Sequence, residues 1–142
     1  MAHAVAEGAG EGCRLISAVD AHPEALREAS GYIFVCPENL ASMTGTMKEM
    51  FDRCYYPLLG QIEGRPYATA IAAGSDGSGA QAQIDRIVTG WRLRRIAEAL
   101  IVNLGAQTPE QILAEKVVEE GDLARCRELG SAFGEGLAMG IF

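Results

Sequence analysis

The sequence predicts one α/β domain in which a doubly wound parallel sheet carries helices on both faces, giving three layers. Apolar, β-favouring runs at 31–36, 65–74 and 96–106 are each followed by a segment whose apolar residues recur at helical spacing. Strands that alternate with helices in this way are typical of a parallel sheet. A chain of 142 residues suits a single core. We therefore expect one domain spanning residues 1–142.

The amino-terminal part of the chain reads as helix, strand, helix, strand. Residues 2–9 are predicted to form the last part of a helix, which Gly8, Gly10 and Gly12 end. The stretch "CRLISA", residues 13–18, alternates well enough to predict a strand. His22-Pro23 then opens a short helix, and Gly31 is placed to end it.

The rest of the chain continues the alternation. The run 65–74 is small and apolar at nearly every position, as expected of a strand covered on both faces. Helical spacing returns from Ala80, and the run 96–106 predicts a fourth strand. Thr108-Pro109-Glu110-Gln111 forms a capping box with proline at the first helical position, so a short helix begins there. A final helix is expected from about Asp122.

Composition and charge limit the possible partners. The formal net charge is -7, which argues against a nucleic-acid or anionic-membrane partner because such binding needs clustered lysine and arginine. The longest apolar stretches, 68–73 and 96–102, are shorter than the roughly 20 residues of a membrane span. No signal-peptide pattern is visible, so we expect a cytoplasmic protein with a small-molecule or protein partner.

The cysteines and histidines are scattered along the chain. The four cysteines form no CxxC pair, and the two histidines are isolated from each other and from the cysteines. We therefore expect buried, reduced thiols that pack as small hydrophobic groups, and no metal site.

Two loops are the candidate ligand-binding segments. Residues 37–43 and 74–79 each follow a predicted strand directly and are rich in glycine, serine and other small or polar residues. Ligands of open α/β sheets bind at the carboxyl ends of the strands. Small residues there allow backbone N–H groups to approach a flat polar ligand closely.

The same segments resemble the flavodoxin-like NAD(P)H-dependent FMN reductases. The matching text is "GYIFVCPENLASMTGTMKEMFDR" at 31–53, "YATAIAAGSDGSGA" at 67–80 and the closing "GLAMGIF", so the resemblance runs over essentially the whole chain. It implies a flavodoxin-like fold, an FMN cofactor, NAD(P)H as co-substrate and a small electron acceptor such as a flavin or quinone. Hydride passes directly between the cofactors in such enzymes, so the resemblance implies no catalytic acid or base.

The resemblance also implies which residues contact FMN. One side of the ring would face Pro37, Glu38, Asn39, Leu40, Ser42 and Met43. Its other edge would be covered by Gly74, Ser75, Asp76, Gly77 and Gly79.

The chain departs from the family pattern at its beginning. The family's first strand, which is central in the sheet, and its Ser/Thr-rich phosphate loop correspond to nothing in residues 1–142, and residues 1–9 match the later part of the first helix. Charge-assisted hydrogen bonds contribute roughly 1.5–3 kcal/mol each. Loss of three of them would weaken FMN binding by roughly a thousandfold or more.

A missing central strand would leave strands 13–18 and 31–36 facing each other across a gap. Three arrangements would fill it. The natural protein starts upstream of Met1, the two strands close directly on each other, or two chains associate to cover the defect.

Several of these residues have a second interpretation. Asn39 and Ser42 are also ordinary turn residues, and Ser42 or Thr44 suits a helix N-cap. Asp76 in a glycine-rich loop is typical of an Asx turn, and Glu38 is either a proton relay or a solvated carboxylate.

Two surface groups add further alternatives. Arg92, Arg94 and Arg95 either select the 2′-phosphate of NADPH or form a solvated face. Tyr55 and Tyr56 either pack at a helix end or line a contact between subunits of a homo-oligomer.

Two other functions remain open at this point. A flavodoxin-type electron carrier is less favoured, since such carriers usually flank the ring with aromatics and neither loop contains one. A flavin-free domain acting only in self-association or protein interaction would also fit the absence of a phosphate loop.

Overall fold

The computed structural model describes residues 1–142 and contains one five-stranded sheet. Its strands are β1 (Tyr32–Asn39), β2 (Ser42–Met43), β3 (Pro66–Ala73), β4 (Arg94–Arg95) and β5 (Leu100–Asn103). The order is β2-β1-β3-β4, and β5 also pairs with β3, further along that strand than β4. All pairings are parallel except that of β1 with β2.

Six α-helices flank the sheet. They are α1 (Ala2–Ala9), α2 (Pro23–Glu28), α3 (Gly45–Cys54), α4 (Ser78–Gly90), α5 (Pro109–Leu113) and α6 (Glu120–Ala138), with a 3₁₀ turn at Tyr56–Leu58. Helices α1 and α6 cover one face, where Val5 and Cys126 share a cluster with Ala70 of the sheet. Helices α3 and α4 cover the other face, where Phe51 and Ile84 pack with Ile71. The predicted three-layer α/β fold is confirmed.

Strand β3 packs against helices on both faces of the sheet. Seven of its eight residues are buried, and four of the eight are alanine. Small side chains let helices approach a strand closely from both sides, as the apolar run at 65–74 predicted. The register places Phe34 opposite Thr69 and Pro37 opposite Ala72, so β1 lies along almost the full length of β3.

The predicted strand at 13–18 is wrong. Residues 13–17 have no regular secondary structure and pair with no strand, and Ala18 begins a turn. The Cys13 N–H donates to Gly10 O, and Ser17 O accepts from the N–H groups of Asp20 and Ala21. A run of alternating apolar and polar residues forms a strand only where a neighbouring strand can hydrogen-bond to it. Direct closure of 13–18 on β1 is therefore not the arrangement found.

Two strand boundaries also differ from those expected. The strand expected at 31–36 continues to Asn39, so the segment 37–43 is a hairpin rather than an open loop. The strand expected at 96–106 is shorter, because only Leu100–Asn103 pairs with β3. The capping box at Thr108 forms as predicted, with its side chain accepting from the Gln111 N–H.

None of the helices is both long enough and apolar enough to cross a bilayer.

The cysteines give a first test of the core. Cys36, Cys54 and Cys126 are buried and Cys13 is exposed, all as free thiols. Burial raises the pKa of the Cys36 thiol from 9.0 to about 11. We expect a thiol reagent at pH 8 to modify Cys13 rapidly in the folded protein and the other three only after unfolding, as counted by mass spectrometry. Rapid modification of Cys36 would contradict the packing.

The same pKa shift predicts a pH dependence of stability. The folded state holds the Cys36 proton more tightly than the unfolded state, because the thiol is desolvated. Its contribution is complete below about pH 9 and is lost as the pH rises towards 11. Denaturant midpoints measured between pH 8 and 11 should fall, and Cys36→Ser should make that fall shallower.

Candidate functional site

The segment 37–43 is a two-residue hairpin with an unusual turn. Strand β1 returns through β2 with Glu38 opposite Met43 and Asn39 opposite Ser42. The turn residues Leu40 and Ala41 have φ of 54° and 56°, in the left-handed region. Hairpin turns of this kind favour asparagine and glycine, and other residues cost roughly 1–2 kcal/mol each. Other contacts must therefore hold the turn.

Helix α4 supplies those contacts. The Met43 N–H donates to Gln83 Oε1 at 3.0 Å, and the Met43 side chain is only 3% exposed in the core. Gly79 lies directly under the turn, because a Cβ there would be 2.2 Å from Ala41 O. Thr44 N–H also donates to Pro37 O at 3.2 Å, which closes the base of the hairpin. The hairpin is thus seated on the first turn of α4.

The strain in the turn gives a testable prediction. We expect Ala41→Gly to raise the free energy of unfolding by about 1 kcal/mol, because glycine tolerates positive φ. Ala114→Gly is the control, since Ala114 is exposed with φ of -65° and glycine there should not stabilise. Urea denaturation measures both. Destabilisation by Ala41→Gly would show that the turn is not strained.

Glu38 joins the hairpin to the second loop. Its Oε1 accepts from the Gly77 N–H at 2.8 Å and its Oε2 accepts from the Ala80 N–H at 2.9 Å. Gly77 is the N-cap of α4, with φ of 92°. A carboxylate at this position satisfies two otherwise unpaired donors and opposes the positive end of the helix dipole. Glu38 is therefore a helix cap supplied from the neighbouring strand, a role that the sequence analysis did not predict.

The segment 74–79 forms the second side of the site. Asp76 accepts from the Ser78 N–H at 3.3 Å and from the Ser78 hydroxyl at 2.6 Å, which is the arrangement of an Asx turn. Ser75 and Asp76 are exposed, and their N–H groups donate to no protein acceptor. Gly77 is buried against Ile101, where a Cβ would lie 2.6 Å from Ile101 Cγ2. The loop therefore presents the free N–H groups of Ser75 and Asp76, and the buried Gly77 holds it in place.

A third segment, which the sequence analysis missed, completes this edge. Asn103 donates from Nδ2 to Ser75 O and accepts the Gly105 N–H at 2.9 Å. The Ala106 N–H donates to Gly74 O at 2.7 Å. Asn103, with Gly105 shortly after it, is a sequence signal for the end of a strand. The prediction of one strand over 96–106 concealed that signal.

The predicted site residues therefore lie together at the carboxyl edge of the sheet, with different degrees of exposure. Pro37, Asn39 and Leu40 are exposed, and the Leu40 side chain is 99% exposed. Ser42 and Gly74 are half-buried. An exposed apolar side chain and free N–H donors at the same edge of the sheet are suited to a flat ring with polar edges, and the residues present fit the ring of a flavin.

The other groups singled out in the sequence lie elsewhere. Arg94 and Arg95 pair with Pro66 and Tyr67, at the amino end of β3 and so at the opposite edge from the loops. Arg95 forms an ion pair with Asp85 at 3.1 Å.

The two tyrosines differ in their surroundings. Tyr55 stacks on Trp91 with ring centroids 5.8 Å apart, whereas Tyr56 is 78% exposed.

The sheet topology and the loops at its carboxyl edge define a flavodoxin-like α/β domain. The model of the family described as NADPH-dependent FMN reductase matches residues 6–107, which is most of the chain. The chain belongs to this family and is a flavin-related oxidoreductase domain. No curated protein matches it significantly.

Solved structures with low sequence identity share the fold. A flavodoxin from the domain Archaea is 18% identical with a TM-score of 0.69, and the match covers 96% of this chain and 90% of that one. A flavodoxin, WrbA-like protein from Agrobacterium tumefaciens is 20% identical with a TM-score of 0.68, covering 96% and 87%. An NADPH-quinone reductase from P. pentosaceus is 15% identical with a TM-score of 0.59, covering 92% and 86%.

Proposed function

We propose that this protein passes electrons from NAD(P)H through FMN to a small acceptor such as a flavin or a quinone. The observation that carries the proposal is the link of the 37–43 hairpin to the 74–79 loop through Glu38, which brings an exposed apolar side chain and free N–H donors to the same edge of the sheet. Membership of the FMN reductase family supports the choice of cofactor and donor.

In this proposal the protein binds and orients the ring. Asn39, Leu40 and Ser42 of the hairpin contact one side, and the N–H groups of Ser75 and Asp76 donate to the polar edge of the ring. When bound, FMN supplies the chemistry of accepting a hydride and passing electrons on. Glu38, Met43 and Gly77 act by holding the two loops in place, since their groups are taken up by internal contacts.

The same geometry limits where the phosphate of FMN is held. The amino end of α4 is already capped by the Glu38 carboxylate, which disfavours a second anion there. The two loops therefore account for binding of the ring alone. Riboflavin, which shares the ring and has no phosphate, should bind to them within about tenfold of FMN.

Partners and location complete the proposal. We propose that two copies of the chain contact each other at Tyr56, because its aromatic side chain is exposed to solvent. Sedimentation of the wild type and of Tyr56→Ser tests it, and a strictly monomeric wild type would contradict it. The four free cysteines support a reducing compartment such as the cytoplasm.

The test of the function is a titration with FMN and riboflavin, followed by quenching of flavin fluorescence. It uses both the protein purified from its own cells and the 142-residue chain. Saturable binding in the natural protein, together with NAD(P)H oxidation on addition of a quinone, is the expected result. Leu40→Asp should weaken both flavins at least tenfold. Absence of flavin binding from both preparations would overturn the proposal.

A further inference from the structure

Two buried polar side chains lie in the layer between β3 and α4. Thr69 of β3 is 1% exposed and Gln81 of α4 is 8% exposed, although the cluster around them contains Ile71, Ile84 and Val88. A buried polar group costs free energy unless it is hydrogen-bonded, and apolar residues would fill the same space without that cost. The pair is therefore better explained by the arrangement that it specifies than by its contribution to stability.

The two side chains belong to a hydrogen-bonded network that meets at Asp85. Thr69 Oγ1 donates to Gln81 Oε1 at 2.5 Å, and Gln81 Nε2 donates to Asp85 Oδ1 at 2.7 Å. The Tyr67 hydroxyl donates to the same Oδ1 at 2.8 Å, and Arg95 donates to Oδ2 at 3.1 Å. Burial and the hydrogen bond to Asp85 raise the pKa of the Tyr67 hydroxyl, so it keeps its proton and remains a donor.

The network joins one face of the strand to one face of the helix. Tyr67 and Thr69 are two residues apart in β3, and Gln81 and Asp85 are four residues apart in α4, so each pair shares a face. Apolar contacts have no preferred direction and would tolerate more than one rotation of α4. Hydrogen bonds are directional, and a rotation that separated these groups would leave buried donors and acceptors unpaired. The network therefore selects one rotation of α4 on β3.

The rotation of α4 determines the contacts that hold the hairpin at 37–43. Gly79 lies under the turn, where a Cβ would be 2.2 Å from Ala41 O. Gln83 Oε1 accepts the Met43 N–H at 3.0 Å, and the Glu38 carboxylate accepts two N–H groups at the amino end of the helix. These contacts are all made by the first two turns of one helix. A rotation of α4 would displace them together.

We propose that Asp85 is a positioning residue of the candidate site: through the network it fixes α4 on β3, and through α4 it fixes the hairpin at 37–43. Asp85 makes no side-chain hydrogen bond to either loop, so its effect on the site passes through the helix. The consequence for flavin binding rests on the proposed function, whereas the placement of the hairpin does not.

The first experiment replaces the whole network with apolar side chains of similar size, as Tyr67→Phe, Thr69→Val, Gln81→Met and Asp85→Leu in one variant. Because no partner is left unpaired, the urea midpoint should equal or exceed that of the wild type. Hydrogen exchange of the Met43 and Ala80 amides, which bond to Gln83 and Glu38, should become roughly tenfold faster or more relative to the Ala70 amide in central β3. An unchanged exchange ratio would overturn the proposal.

The conservative variant Asp85→Asn is the matched rescue. Its Oδ1 still accepts from Tyr67 and Gln81, and only the ion pair with the exposed Arg95 is lost. Exchange of the Met43 amide should stay within about threefold of the wild type. Exchange as fast as in the apolar variant would overturn the assignment of the effect to the hydrogen bonds.

A second variant covers the case in which the fourfold replacement does not fold. Thr69→Val with Gln81→Met removes half of the network, and Tyr67 still donates to Asp85. The Met43 amide should then exchange roughly threefold faster than in the wild type, again relative to Ala70. No change in this variant would overturn the proposal.

Titration of the same variants with FMN tests the consequence for the ligand. The apolar variant should bind FMN roughly tenfold more weakly, and Asp85→Asn should bind it as the wild type does. Faster exchange of Met43 with unchanged FMN affinity would overturn the role of Asp85 in flavin binding. If the wild type binds no flavin, the proposed function fails, and the exchange data alone decide whether Asp85 positions the hairpin.

Discussion

Replacing Gly79 with alanine is expected to unseat the hairpin at 37–43 and to lower FMN affinity at least tenfold. A Cβ at Gly79 would lie 2.2 Å from Ala41 O and 3.2 Å from Glu38 Oε2. The first of these atoms is backbone, so the hairpin itself must move. Overpacking of this kind costs roughly 1–3 kcal/mol. Flavin titration and urea denaturation of the same variant would measure both effects.

Gly45→Ala is the matched control for this substitution. Gly45 begins α3 close to the hairpin, and a Cβ there would meet nothing within 4 Å. Alanine in a helix is more favourable than glycine by about 1 kcal/mol, so this variant should be as stable as the wild type or more so. If Gly79→Ala binds FMN as Gly45→Ala does, the seating of the hairpin is not what positions the flavin.

The second large effect is expected on removing the carboxylate of Glu38. Glu38→Ala leaves the N–H groups of Gly77 and Ala80 without an acceptor, and both residues are buried. Each unsatisfied buried donor costs roughly 1–3 kcal/mol. We expect the free energy of unfolding to fall by about 2–4 kcal/mol and flavin affinity to fall with it, as measured by urea denaturation and fluorescence titration.

The conservative variant Glu38→Gln distinguishes the loss of hydrogen-bond acceptors from the loss of the negative charge. Glutamine retains one acceptor oxygen, so it should restore roughly half of the lost stability. Glu63→Ala is the control, because Glu63 is an exposed carboxylate that caps no helix. Equal stability of Glu38→Ala and Glu63→Ala would exclude the cap. Full activity of Glu38→Gln would exclude a role for Glu38 in proton transfer.

Much of the fold was predictable because its signals are local. The apolar run of β3, the spacing of Met47, Met50 and Phe51 in α3, and the capping box at Thr108 are each decided by neighbours in sequence. These predictions are confirmed at or near the expected positions. The position of both loops at one edge followed from the parallel topology alone.

The errors arose where structure depends on distant partners. Residues 13–17 alternate like a strand but have no ladder beside them. Leu40-Ala41 is not a hairpin signal, and its left-handed turn exists only because α4 supports it. The capping role of Glu38 and the tie from Asn103 to Ser75 join segments far apart in sequence. The sequence of one segment does not show which distant segment it contacts.

Strand β3 also decides how the protein assembles. It is the only strand that pairs with three others, and each partner lies far away along the chain: Tyr32 faces Tyr67, and Ala70 faces Leu100. Pairing of strands far apart in sequence first loses the conformational entropy of the chain between them, and only then do the new contacts stabilise the sheet. Folding should therefore be slow and cooperative. The amides of β3 should be the last to exchange, since they open only when the whole sheet does. The shorter ladder of β5, which ends at the exposed Asn103 at the ligand edge, should open before that of β3.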